Sequence, residues 1–201
     1  MPAIITADIV NSRKDLSSQW LPALKSFLRT LGDEPATWEI YRGDAFQIEI
    51  PKPENALKVA ILIKALLGQR KLDARMSIGI GEKTVVAKKL SESNGSAFVR
   101  SGELFETLKP QKLTLAVRTD DSDSDQTLNL MFRLISALMA NWLPQSAEFV
   151  YEALQNPELS QEEMGKKLGI TQAAVSRRQK RAHFDLILET EAFYRKTVPN
   201  L

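Results

Sequence analysis

Apolar positions along the first 118 residues switch between unbroken or alternating runs and helical spacing, and after that only helical spacing remains. Residues 3–10 form a β-rich apolar run of the kind buried on both faces of a sheet. Leu16, Trp20, Leu24, Phe27, Leu28 and Leu31 recur at helical spacing, and Gly32 supplies a stop. Residues 37–41 and 45–50 predict short strands around Arg42-Gly43-Asp44, a hairpin signal, and Pro51 ends the second. A helix follows over 54–67, closed by Gly68, then a strand over 74–80, a helix over 97–108 and a last strand over 113–117.

The stretch Thr119-Asp120-Asp121-Ser122-Asp123-Ser124-Asp125-Gln126 contains no apolar residue and reads as a solvated linker. Beyond it, Leu128, Met131, Phe132, Ile135, Leu138, Met139 and Trp142 make one helical stripe that ends before Pro144. Further helices are expected over 147–154, 160–168, 171–181 and 184–194, with Asn156-Pro157 and Gly169 as breaks. The expected organisation is an α+β domain over 1–118, an acidic linker over 119–127 and an all-α domain over 128–201. The order β-α-β-β-α-β-α-β, with two helices on one face of a mixed sheet, predicts a ferredoxin-like or palm architecture for the first domain.

Composition narrows the class without deciding the function. The chain has 201 residues, 43% hydrophobic and 26% charged, an ordinary globular balance. No run approaches the roughly 18–20 apolar residues of a membrane span, and Met1-Pro2-Ala3-Ile4-Ile5 lacks the basic start of a signal peptide. Cysteine is absent, so disulfides and thiolate metal sites are excluded and a cytoplasmic location is the default expectation. The single histidine, His183, argues against a catalytic triad or a histidine-based metal site. The net charge of +2 is too small to argue for nucleic acid, but its distribution is uneven. From Lys166 to Phe184 the charged residues are Lys166, Lys167, Arg177, Arg178, Lys180 and Arg181, with no Asp or Glu among them.

The same region carries the pattern of a helix-turn-helix over 160–182. Ser160 with Glu163 is a capping box, and Gly165 is small where two helices would cross. Leu168 and Ile170 flank the turn, Gly169 takes a left-handed conformation, Thr171 caps the second helix and Val175 packs inward. The second helix is expected to present Thr171, Gln172, Ala173, Ser176, Arg177 and Lys180 to a DNA groove, where Gln reads adenine and Arg reads guanine. Lys166, Lys167, Arg178 and Arg181 are candidates for phosphate contacts. Gln179 departs from the pattern, standing where an aliphatic residue is usual. The plainer alternative is an αα-hairpin with a solvated basic face.

Asp8 near the end of the first strand and Asp44 at the hairpin tip would fall side by side in a palm sheet, where paired carboxylates hold Mg²⁺ and bring a nucleotide triphosphate to it. Ala7-Asp8-Ile9-Val10-Asn11-Ser12 resembles the first metal strand of nucleotidyl cyclases, and Arg42-Gly43-Asp44-Ala45-Phe46 resembles the GGDEF signature hairpin. Arg75-Met76-Ser77-Ile78-Gly79-Ile80-Gly81 resembles the strand that follows it. On that likeness Asp8 and Asp44 are the candidate metal ligands, and Ser12, Arg13, Arg42 and Gly43 the candidate nucleotide contacts. Two departures weaken the site: a signature Gly is Arg42, and its second acidic residue is Ala45. The alternative role for Asp8 and Asp44 is to cap turns, with Gly43 supplying φ > 0.

Nearly the whole chain resembles the SatD family of bacterial proteins. The likeness is carried by residues 8–13, by Gly43-Asp44-Ala45-Phe46-Gln47, by residues 75–82, by Asn94-Gly95-Ser96-Ala97-Phe98-Val99-Arg100 and by the helix-turn-helix. The family has Glu where this chain has Ala45, and Asp-Gly-Pro-Ala where it has residues 94–97. The resemblance implies a cyclase-like palm joined to a DNA-binding module. The expectation is a DNA-binding transcriptional regulator of double-stranded DNA, requiring no cofactor, whose degenerate palm senses a nucleotide or Mg²⁺ or mediates assembly. Half-sites one duplex turn apart call for a homodimer. The stripe of residues 128–142 and Phe184, Leu186, Ile187, Phe193 and Tyr194 are candidate interfaces, or else fill the core. The rival expectation is a Mg²⁺-dependent nucleotidyl cyclase or nucleotidyltransferase using Asp8 and Asp44; a third is a scaffold whose helix-turn-helix binds protein.

Overall fold

The computed structural model describes residues 1–10, 17–41 and 43–200. Its five strands are β1 (Ala3–Val10), β2 (Trp38–Tyr41), β3 (Ala45–Ile50), β4 (Asp73–Ile80) and β5 (Leu115–Arg118). They form one mixed sheet in the order β2-β3-β1-β4-β5. The β-branched run of β1 occupies the centre, antiparallel to β3 and β4, and only β4 and β5 run parallel. The described residues also form eight α-helices: α1 (Ser17–Arg29), α2 (Ala56–Gly68), α3 (Ser96–Leu108), α4 (Ser122–Met139), α5 (Pro144–Gln155), α6 (Gln161–Leu168), α7 (Gln172–Ala182) and α8 (Phe184–Thr197).

Alternation along β1 separates the two faces of the sheet. Ala3, Ile5, Ala7 and Ile9 join Trp20, Leu24 and Leu28 of α1 and Leu57, Ile61 and Ala65 of α2 in one core. Thr6 points the other way, its hydroxyl 3.0 Å from that of Ser101 on α3. Ser77 Oγ donates to the Ser101 carbonyl at 2.7 Å, so these buried hydroxyls all have partners beneath α3. Helix and strand meet there because Gly79 has no side chain: a Cβ would stand 2.3 Å from the Ala97 carbonyl oxygen.

The expected linker is a correction. Residues 122–127 are the opening turns of α4, not a solvated loop. Asp121 caps the helix, accepting from Asp123 N at 3.1 Å and Ser124 Oγ at 2.6 Å. Acidic residues in a first turn are stabilised by the positive end of the helix dipole, which the composition of the segment conceals. Asp125 accepts from Thr119 N at 2.8 Å, and Asn129 completes the edge of β5, accepting from Val117 N at 2.9 Å and donating to Val117 O at 2.8 Å.

Residue 118 does not divide the core. One cluster of buried side chains runs from Ala3 to Val198, because α2 is apolar on nearly every side and packs both on the sheet and against α5. Tyr194 on α8 is fully buried and its hydroxyl donates to the Pro53 carbonyl at 3.0 Å. Burial holds that phenol well above its ordinary pKa, so it stays a donor. Much of the expected interface surface also lies inward: Leu128, Phe132, Ile135, Met139, Phe184, Ile187 and Tyr194 are buried, while Leu130, Leu134, Leu186 and Phe193 stay exposed. No helix among the described residues is long and apolar enough to cross a membrane.

Candidate nucleic-acid interface

Local sequence accounts for the geometry of α6, the turn and α7. Ser160 Oγ accepts from Glu163 N at 3.3 Å while the Glu163 carboxylate accepts from Ser160 N at 2.9 Å, a complete capping box. At the far end of α6, Gly169 has φ 65 and ψ 33, and Ile170 N returns to the Gly165 carbonyl at 2.9 Å. The reversal is tight: a Cβ on Gly165 would lie 2.8 Å from the Ile170 carbonyl oxygen. Thr171 then caps α7, accepting from Ala174 N at 3.3 Å, and Val175 is fully buried one turn later.

That packing turns Thr171, Gln172, Ala173, Arg177, Lys180 and Arg181 to solvent, with Ser176 half-buried beside them. The sequence-expected cations divide into two sets. Lys166 pairs with Glu162 at 3.1 Å, Lys167 with Glu152 at 3.5 Å and Arg178 with Glu148 at 2.6 Å. Arg177, Lys180 and Arg181 have no ion pair among the described residues. The acid-free stretch of sequence therefore meets carboxylates from α5 and from the start of α6, which a linear reading does not see.

Gln172, expected to point at a base edge, instead turns back and donates to Gln161 Oε1 at 2.7 Å. Gln161 in turn donates to Gln179 Oε1 at 2.8 Å, and Gln179 donates to Asp185 Oδ1 at 3.1 Å. A chain of side-chain amides thus ties α6, α7 and α8 together where aliphatic packing was expected. Gln161 and Asp185 carry no sequence signal for this; Gln179, polar at an inward position, is the residue that pointed to it.

The second candidate site lies on the N-terminal sheet. Asp8 on β1 stands in register between Ala45 on β3 and Arg75 on β4, and Asp44 immediately precedes β3, its carbonyl accepting from Ile9 N at 3.1 Å. The two expected carboxylates therefore do share one end of neighbouring strands. Gly43 adopts φ +85 with open space around its Cα. Ser12, Arg13 and Arg42 lie outside the described residues.

Both oxygens of Asp8 are engaged: Arg75 donates from Nε at 3.1 Å and from Nη2 at 2.9 Å. Burial raises the Asp8 pKa above its ordinary value; Arg75 pulls it down, and the Asp44 charge adds to the rise. Among the described residues no three or more His, Cys, Asp or Glu side chains converge as a metal site would require. With both Asp8 oxygens held by the Arg75 guanidinium, the described residues do not by themselves supply a Mg²⁺ site. No protein-family model matches this chain, and neither curated proteins nor solved structures gave a match.

Proposed function

We propose that this protein is a DNA-binding transcriptional regulator whose α6–α7 unit is a helix-turn-helix. One observation carries the reading: α7 presents Arg177, Lys180 and Arg181 to solvent without ion-pair partners among the described residues, on a helix that a tight Gly165–Gly169 turn fixes against α6. A rigid helix with an exposed basic face matches the width and the negative potential of a major groove. Thr171, Ala173 and Ser176 are the small groups beside those cations, and Lys166 and Lys167 exchange surface ion pairs for phosphate at little cost.

The strand order β2-β3-β1-β4, antiparallel throughout, supports a ferredoxin-like or palm reading of the N-terminal sheet. With the Asp8 carboxylate held by Arg75, that sheet serves assembly or sensing in this proposal and not nucleotidyl transfer. The regulator acts as a homodimer on paired half-sites. Selection of bound sequences from a random duplex library tests this reading. Enrichment of a two-fold related motif with half-site centres about 10 base pairs apart, or a multiple of that, is expected; recovery of no motif contradicts it.

A further inference from the structure

A cavity of about 420 Å³ lies behind α7, walled by residues of α5, the loop after it, α6, α7 and α8 and by one residue of α2. Its size falls in the range of small-molecule sites, roughly 300–1,000 Å³. Phe149, Leu154, Leu159, Met164, Val175 and Leu188 make most of its wall apolar. Gln179 lines the cavity at a position where an aliphatic residue is usual, its amide held between Gln161 and Asp185.

The polar groups at the rim define what would enter. The charged side chains lining the cavity are Lys58, Glu191 and Arg195. Arg195 is paired with Glu191, whose carboxylate is almost fully covered. Lys58 has no ion pair among the described residues, so the lining carries one uncompensated positive charge. Side-chain amides of Asn156, Gln161 and Gln179 add neutral hydrogen-bonding capacity.

We infer that this cavity binds a small amphipathic monoanion, an apolar body seated among the Phe149, Leu154 and Leu188 side chains with its carboxylate on Lys58. Apolar walls with a single unpaired cation favour that chemistry over a neutral hydrocarbon, which leaves Lys58 unused, and over a polyphosphate, which the walls cannot solvate. Val175 and Gln179 are on the inner face of the helix whose outer face carries Arg177, Lys180 and Arg181. An occupant therefore bears on the placement of α7; that consequence rests on the DNA-binding proposal, and the test is made without DNA so that the two stand or fall separately.

The probes are octanoate and its uncharged counterpart 1-octanol, titrated calorimetrically into the full chain. Octanoate is expected to bind with a Kd of about 1 mM or tighter, and octanol roughly tenfold more weakly. Lys58→Gln brings octanoate to the octanol level, and Ala153→Trp, which fills the wall of the cavity, abolishes binding of both. Amide chemical shifts on adding octanoate move at Val175 and at the Gln179 side chain. Absence of saturable octanoate binding, equal affinity for octanol, no effect of Lys58→Gln, or shifts confined to surfaces away from the cavity would each overturn the assignment.

Discussion

Arg178 of α7 donates to the Glu148 carboxylate of α5 at 2.6 Å, so a cation counted toward phosphate binding instead braces the helix from behind. The Glu148 side chain is 44% exposed, so solvent screens the pair and its contribution is about 1 kcal/mol. Glu148→Gln keeps a hydrogen-bond acceptor for Arg178 while removing a negative charge near α7. A stability loss below about 1 kcal/mol is expected by urea denaturation. Duplex affinity should rise about two- to fivefold at low salt and the gain should fade as salt screens it. Unchanged affinity at low salt would separate α7 from the DNA path.

The turn between α6 and α7 is sensitive at its two glycines for different reasons. Gly169 has open space around it but φ 65, so Gly169→Ala pays only the left-handed strain, about 1–2 kcal/mol. At Gly165 a Cβ would stand 2.8 Å from the Ile170 carbonyl oxygen, so Gly165→Val must displace the backbone of the turn that leads into α7. A loss of about 3 kcal/mol is expected there, at the upper end of overpacking costs. Equal urea midpoints for the two variants would contradict this geometry.

Lys64 is buried on α2, with Nζ 2.7 Å from Asp73 Oδ1 and 3.0 Å from the Ala74 carbonyl. Desolvation is the largest influence on it and lowers its pKa in the folded chain below 10.5; Asp73 opposes the shift. At alkaline pH, between the folded value and 10.5, the unfolded chain binds more protons than the folded one. The contribution of Lys64 to stability therefore rises with pH through that window. Lys64→Met removes the buried charge and is expected to be neutral or stabilising by about 1–2 kcal/mol at pH 7. Its advantage over the wild type should shrink as pH climbs toward 10.5. A difference that stays constant with pH would show that Lys64 does not titrate out of step with the unfolded chain.

The elements that were readable in the sequence are those whose cause is local. The β1 run, the Ser160–Glu163 capping box, the left-handed Gly169 and the inward Val175 each follow from a few adjacent residues, and each is present. Polarity alone does not distinguish a linker from a well-capped helix start at 119–126; the deciding groups are the side chains of Asp125, Thr119 and Asp121, which accept from the backbone amides of Thr119, Asp121 and Asp123 in turn. The shared core was hidden for another reason. An all-round apolar α2 signals burial, but not that α5 and α8 supply its outer cover. At the candidate interface, the charge balance of α7 and α6 depends on Glu148 and Glu152 respectively, which are distant in sequence and reach those helices only through packing. The Asp8–Arg75 clamp is likewise a matter of register across the sheet.

The most direct measurement of the central proposal is the salt dependence of duplex DNA binding, compared between the wild type and the double variant Arg177→Ala, Lys180→Ala. Both residues are exposed and unpaired among the described residues, so the fold should be unaffected. The wild type is expected to lose affinity steeply with added salt, and the variant to bind at least about tenfold more weakly with a slope smaller in magnitude by about 2. Equal affinity and equal slope in the two proteins would contradict a DNA-binding role for α7.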